Sequence, residues 1–139
     1  MQSTPANTPA QIKIKTPGAH HITLRVSDYE RAKSFYIDTL GFDAVMDTSN
    51  LFIFFAGQTA IAIRGPENET QQHGNFNPYR VGLDHLAFAC ESEDELQRVA
   101  EALEMAGVEN TGVKLDEVLG KKYVAFKDPD RIALEFYMV

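Results

Sequence analysis

Two histidines and one glutamate, His21, His85 and Glu135, are residues whose types could bind one metal ion together. Each lies in a segment where apolar residues alternate with other residues, the pattern of a half-buried β-strand. The apolar neighbours define a core face, so these three side chains share the opposite parity. If that face is concave, two imidazoles and a carboxylate converge on it. This ligand set suits divalent Fe, Mn, Zn, Ni or Co with open coordination positions.

Glu135 has a physical reason to meet a cation. A carboxylate between Leu134 and Phe136 in mid-strand is costly to desolvate unless a cation or hydrogen-bond donors contact it. The alternative interpretation is that the three residues are hydrogen-bonded surface or core residues. On spacing alone this is the commoner situation, so residue types and parity leave both interpretations open.

The first half of the chain predicts a strand, a helix and three further strands. Residues 21–26 alternate as a strand, and Ser27 and Asp28 then offer N-cap chemistry. Apolar residues at helical spacing follow, and Gly41 is a plausible end of the helix. The later strands are expected at residues 43–47, 51–56 and 59–64.

The second half of the chain repeats this order. Residues 84–90 alternate as a strand, Ser92 and Glu95 form a capping box, and the helix is expected to end near Gly107. Later strands are expected at residues 113–117, 122–127 and 132–139. A shift of 64 positions superposes His21 on His85, which indicates an internal duplication. We therefore predict a flexible leader at residues 1–17 and one domain at residues 18–139. This domain consists of module one (18–65), a polar linker (66–81) and module two (82–139).

Length and composition restrict the functional classes. The 139 residues are 44% hydrophobic and 24% charged, values typical of one soluble globular domain. The formal charge of −7 disfavours phosphate backbones and anionic bilayers, so we expect neither nucleic acid nor membrane as a partner. The single cysteine, Cys90, cannot form an internal disulfide, which fits a reducing compartment. We expect a cytoplasmic location.

Three separated motifs carry a family resemblance. They are AHHITLRVSD at residues 19–28, GLDHLAF at residues 82–88, and FKDPD at residues 126–130 followed by Leu134-Glu135. In these motifs the chain resembles the vicinal oxygen chelate superfamily, which includes glyoxalase I, methylmalonyl-CoA epimerase, fosfomycin-resistance thiol transferases, bleomycin-resistance proteins and extradiol dioxygenases. The resemblance implies an α+β fold of two tandem βαβββ modules, which form a curved mixed sheet around a cleft. It also implies that the family's metal ligands fall on His21, His85 and Glu135.

The sequence departs from the family pattern at three positions. Glyoxalase I and the epimerases take a fourth ligand from the last strand of module one, where this chain has Ala62. Extradiol dioxygenases carry a tyrosine ten positions before the glutamate, where this chain has Ala125; Tyr123 could replace it only in a bulged or shifted strand. Most relatives have glycine where Arg131 stands, so Arg131 is strained if that position requires φ > 0.

The resemblance implies a divalent-metal-dependent enzyme that chelates vicinal oxygens of a small substrate, as a lyase, a transferase or a ring-cleaving dioxygenase. We expect Glu135 or Tyr123 to assist proton transfer, and Arg25, Tyr123 and Tyr137 to contact substrate. The alternative is a metal-free small-molecule binding protein of the bleomycin-resistance type, and a third interpretation is a structural or regulatory module with an occluded cleft. The resemblance also implies a homodimer in which both chains build each cleft.

Overall fold

The computed structural model describes residues 10–139, which form two four-stranded mixed β-sheets. The first sheet contains β1 (His21–Arg25), β2 (Met46–Asp47), β3 (Leu51–Ala56) and β4 (Thr59–Arg64), in the order β1-β4-β3-β2. The second contains β5 (Leu86–Cys90), β6 (Lys114–Asp116), β7 (Lys121–Lys127) and β8 (Ala133–Met138), in the order β5-β8-β7-β6. In each sheet the first and last strands pair in parallel and the others are antiparallel. The expected α+β class with two βαβββ modules is confirmed.

The helix of module one is less regular than its apolar spacing predicts. Helix α1 (Tyr29–Lys33) begins where the Asp28 side chain accepts a hydrogen bond from the backbone N–H of Arg31. The chain then continues as a π-helical segment, Ser34–Thr39, whose wider turn buries the adjacent residues Phe35 and Tyr36. Gly41, at φ 83°, follows this segment in the left-handed conformation.

The helix of module two forms as the sequence predicts. Helix α3 (Glu93–Met105) begins with the Ser92 hydroxyl accepting from the backbone N–H of Glu95 at 3.1 Å, which is one half of a capping box, whereas the Glu95 carboxylate accepts from Arg98. Its buried face packs against β5, β7 and β8. A short helix, α2 (Glu69–Gln72), lies in the linker, for which the sequence predicts only a polar connection. No helix among residues 10–139 is long and apolar enough to cross a membrane.

Several elements are shorter than expected. The strand expected at residues 43–47 is reduced to Met46–Asp47, because β2 is an edge strand that pairs with β3 at only these two residues. The strand expected at residues 84–90 begins at Leu86, which leaves His85 just before β5. Residues 10–17 are exposed and form no helix or strand, and residues 1–9 of the expected leader lie outside the described residues.

The two modules are joined by aromatic and polar contacts. Phe42 of module one stacks on Phe54 at 4.2 Å between ring centroids and lies 5.4 Å from Phe88 of module two. The turn between β7 and β8 places two buried aspartates against module one. Asp128 accepts from the Tyr36 hydroxyl at 2.9 Å, and the Asp130 carboxylate accepts from the backbone N–H of Ser27 at 2.8 Å. The FKDPD motif, one of the three that carry the family resemblance, therefore also stabilises the contact between the two modules.

Candidate functional site

The site is positioned by the register of the second sheet. Glu135 on β8 pairs with Ala87 on β5 and with Ala125 on β7. The next residue pair on the same face toward the turn is Ala133 with Lys127. Leu134 is fully buried on the other side of the strand, as alternation predicts. Glu135 therefore lies on the non-core face, with small alanines on either side of it.

His85 meets Glu135 at the start of β5. Its Nε2 lies 3.4 Å from Glu135 Oε1, and its Nδ1 lies 2.7 Å from Asp84 Oδ1. Because a neutral imidazole has one N–H, donation from Nδ1 to the Asp84 carboxylate leaves the Nε2 lone pair directed at the Glu135 side. Carboxylates that orient metal-binding histidines act in this way. Two of the three expected ligands are therefore adjacent within one chain.

A cavity of about 340 Å³ opens in front of this pair. Its size falls in the range of about 300–1,000 Å³ that is usual for small-molecule sites. It is lined by residues of β7 and β8 and by residues that precede β5 and β6. Lining residues include Tyr79, His85, Asn110, Ala125, Lys127 and Glu135.

His21 lies in the first sheet, apart from this pair. It is exposed at the start of β1, and its Nδ1 lies 2.9 Å from Nδ1 of His20. Strict alternation would place His20 on the other face, but His20 precedes the first residue of β1 and is not held to the pleat. Within residues 10–139, no three His, Cys, Asp or Glu side chains are grouped so that they could hold a metal ion. The ligand role expected for His21 stays a prediction.

Ala62 is the counterpart of Glu135 in module one. Ala62 pairs with Thr23 on β1, as Glu135 pairs with Ala87 on β5, and Thr23 and Ala87 are equivalent residues of the duplication. The residue opposite His21 is Ala60. Neither alanine can bind a metal ion, so module one offers a histidine without a carboxylate beside it.

Arg25 holds the end of β1 to the linker. Its guanidinium donates to the Gly65 carbonyl at 2.7 Å and lies 3.6 Å from the Glu67 carboxylate. These contacts are in the first sheet, whereas the cavity beside Glu135 is in the second. The chain does not bring Arg25 to the His85–Glu135 pair, and its expected contact with substrate stays a prediction.

Tyr123 and Tyr137 form the residue pair that follows Ala125 and Glu135 on the same face of the second sheet, away from the turn. They pair across β7 and β8, and their rings stack at 6.0 Å between centroids. The register from Lys127 to Tyr123 is continuous, so Tyr123 does not move into the position of Ala125. The Tyr137 hydroxyl donates to Asp116 at 2.8 Å, and burial followed by this hydrogen bond raises the pKa of Tyr137 to about 12. At neutral pH Tyr137 is therefore a neutral phenol that cannot act as a base.

Comparisons with known proteins agree on one family. The sequence profile of the Glyoxalase/Bleomycin resistance protein/Dioxygenase superfamily matches residues 18–136. The chain is 33% identical to YwkD, an uncharacterized protein of Bacillus subtilis (strain 168), over 85% of this chain and 94% of that protein. It is 30% identical to YaeR, an uncharacterized protein of Escherichia coli (strain K12), over 85% of this chain and 93% of that protein. A catechol-2,3-dioxygenase of Bacillus subtilis (strain 168) is 33% identical over 76% of this chain but only 39% of its own length.

Solved structures share the same architecture. The crystal structure of SMU.1112c superposes with a TM-score of 0.74 at 28% identity and covers 88% of this chain and 99% of its own. A lactoylglutathione lyase from Agrobacterium tumefaciens superposes with a TM-score of 0.70 at 20% identity, over 88% of this chain and 94% of its own. At that identity the likeness concerns the fold alone.

Proposed function

The chain belongs to the Glyoxalase/Bleomycin resistance protein/Dioxygenase superfamily, and from this premise we propose that it is a divalent-metal-dependent enzyme that binds vicinal oxygens of a small substrate. The observation that carries the proposal is the pairing of His85 with Glu135 at the wall of a cavity. The cavity volume supports a small molecule as the substrate.

The donor chemistry of the pair fits a divalent ion. The 3.4 Å between Nε2 and Oε1 is a separation that two donors also have when each binds the same ion at about 2.1 Å. Asp84 holds the imidazole through Nδ1, the arrangement that keeps Nε2 available as a ligand. Imidazole and carboxylate donors suit Fe, Mn, Zn, Ni or Co. When bound, such an ion supplies Lewis acidity toward the substrate oxygens.

We propose that the third ligand, His21, comes from a second copy of the chain in a homodimer. The face of the first sheet that carries His21 also presents Met46 and Phe55, which are 50% and 52% exposed. Apolar side chains of this size on a sheet face are suited to burial against another surface. Association of module one with module two of a partner would cover them and bring His21 toward the other two ligands.

The residues around Glu135 favour a lyase or transferase reaction over ring cleavage. Ala125 lies directly opposite Glu135, so the position at which the resembling dioxygenases carry a tyrosine offers no hydroxyl. Tyr137 donates its hydroxyl to Asp116, and its raised pKa of about 12 makes it a weaker acid than an ordinary phenol, so we do not assign proton donation to it. Glu135 is the carboxylate beside His85 at the cavity and the candidate proton acceptor. Because the chain is similar to a catechol-2,3-dioxygenase, oxygen-dependent ring cleavage is the alternative reaction that experiments should test.

Metal analysis tests the proposal directly. We expect roughly one divalent ion per chain after reconstitution, in keeping with one three-ligand site per chain. His85→Ala should lose most of this metal, and Asp84→Asn should weaken binding by about 10–100-fold because the imidazole is no longer oriented. His73→Ala, which removes an exposed histidine of the linker, is the matched control and should bind like the unaltered protein.

The opposite outcome also identifies a function. A metal content that stays near zero after reconstitution would contradict the proposal and favour a metal-free binding protein of the bleomycin-resistance type. Equal losses in His85→Ala and His73→Ala would show nonspecific binding to histidine, and would contradict the assignment of the site.

A further inference from the structure

The cavity beside His85 and Glu135 contains another charged side chain, that of Lys127. Lys127 pairs with Ala133, and the neighbouring pair on the same face is Ala125 with Glu135. Lys127 is therefore the diagonal cross-strand neighbour of Glu135. Diagonal neighbours lie about 7–8 Å apart, within reach of a long side chain.

His85 and Lys127 lie on opposite sides of β8. His85 directly precedes Leu86, which pairs with Leu134, and Lys127 pairs with Ala133 from the other strand. Two strand spacings put the backbones of His85 and Lys127 about 10 Å apart. The methyl group of Ala133 leaves the space between them open for a small molecule.

The charge of Lys127 is not balanced by an ion pair, in contrast with other charged residues at the cavity. Asp84 contacts His85 at 2.7 Å, and Glu109 contacts Arg131 at 3.3 Å. Within residues 10–139, no carboxylate lies within ion-pair distance of the ammonium of Lys127, a half-buried residue of the cavity wall. An ammonium group without an ion-pair partner is stabilised by an anion that enters the cavity.

We propose that Lys127 binds a carboxylate of the substrate, and that the substrates are small 2-hydroxy or 2-oxo carboxylic acids; this inference rests on the proposed metal-dependent function. Vicinal oxygens would be held at the His85–Glu135 end of the cavity, and Lys127 determines specificity for the anionic group. One lysine suits a monoanion better than a phosphate, which is usually met by several donors or a helix N-terminus. The carboxylates of Asp84 and Glu109 at the rim also disfavour a dianion.

Lactate and lactamide are suitable probes, because both carry vicinal oxygens and only lactate is charged. Their affinities for the Zn²⁺-loaded protein are measured by NMR titration for the unaltered protein, Lys127→Gln and Lys121→Gln. Lys121 lies on the same strand and face, about 20 Å away at 3.3 Å per residue, so its substitution changes the net charge equally. Unaltered protein and Lys121→Gln should bind lactate more tightly than lactamide. Lys127→Gln should lose about tenfold in lactate affinity and keep its lactamide affinity.

The outcomes separate this inference from the proposed function. A Lys127→Gln variant that keeps the lactate affinity of the unaltered protein, or that loses affinity for both probes equally, overturns the role of Lys127 as the carboxylate ligand. So does an unaltered protein that does not distinguish the probes. Repeating the titration after removal of Zn²⁺ tests the metal separately, since lactate binding that is unchanged without Zn²⁺ contradicts the metal-dependent function while leaving the Lys127 comparison intact.

Discussion

The buried carboxyl group of Asp128 should make the stability of the protein depend on pH in an unusual direction. Asp128 is only 4% exposed, and burial is the main cause that raises its pKa from 3.8 to about 6. Hydrogen bonds from Ile132, Tyr36 and Asp130 act in the opposite sense. The folded protein therefore binds this proton more tightly than the unfolded chain does. The resulting stabilisation is present below pH 3.8 and is lost as the pH rises through about 6.

The magnitude follows from the size of the shift. At about 1.36 kcal/mol for each pKa unit, the change from 3.8 to about 6 corresponds to about 3 kcal/mol between the fully protonated and fully ionised limits. Between pH 4 and pH 7 most of this difference, about 2–3 kcal/mol, should be observed. Solvent screens the Asp128 carboxyl group little, because the residue is almost completely buried.

The assay compares the unaltered protein with Asp128→Asn by urea unfolding at fixed protein concentration across this pH range. Asparagine can accept from the backbone N–H groups of Asp130 and Ile132 but cannot ionise, so its own effect is a constant offset. The unaltered protein should lose about 2–3 kcal/mol relative to Asp128→Asn as the pH rises from 4 to 7, a shift in midpoint of about 1–2 M urea. The exposed substitution Asp38→Asn is the control. A difference between the unaltered protein and Asp128→Asn that is flat across this range would refute the reasoning.

Other predictions concern strain and the metal ligands. Arg131 adopts φ 65°, so Arg131→Gly should raise the free energy of unfolding, measured by thermal unfolding, by about 1 kcal/mol. Arg131→Ala should not raise it. Equal effects of the two substitutions would show that the backbone at Arg131 is not strained. Ala62→Glu should destabilise the metal-free protein by about 2 kcal/mol, because Ala62 is only 7% exposed. Zn²⁺ should bind this variant more tightly than the unaltered protein. Unchanged metal affinity would mean that Ala62 does not face the ion. Mixing His21→Ala chains with chains that carry both His85→Ala and Glu135→Ala should restore one metal site per heterodimer. A mixture that binds no metal would contradict a site shared between chains. So would a protein that is monomeric in light scattering.

The face of Glu135 could be predicted because it depends on a local rule. A strand with one buried side fixes the parity of every residue in it, so Leu134 identifies the orientation of Glu135 without knowledge of the partner strands. The start of α3 could be predicted for the same reason, since Ser92 and Glu95 act within one turn. Strain at Arg131 was expected only if this turn position requires a positive φ, because most relatives carry glycine there, and Arg131 does adopt φ 65°.

Features that depend on contacts between distant residues could not be predicted from local patterns. The π-helical segment after α1 follows from the need to bury both Phe35 and Tyr36 and to bring the Tyr36 hydroxyl to Asp128. The contact between His20 and His21 involves a residue that precedes β1, His20, to which alternation does not apply. Lys127 belongs to a motif that suggested a turn, and its place in the cavity becomes evident only when β7 pairs with β8.

The duplication gives a physical reason for a site divided between modules. Each module places a histidine at the start of its first strand, but the residue equivalent to Glu135 in module one is Ala62. Module one can therefore supply an imidazole and no neighbouring carboxylate, whereas His85 and Glu135 form an adjacent pair in module two. Two copies of module one would provide no carboxylate, and two copies of module two would bring together two histidines and two glutamates. The proposed site of two histidines and one carboxylate takes its second histidine from module one, so the proposal requires that unlike modules pair, within or between chains.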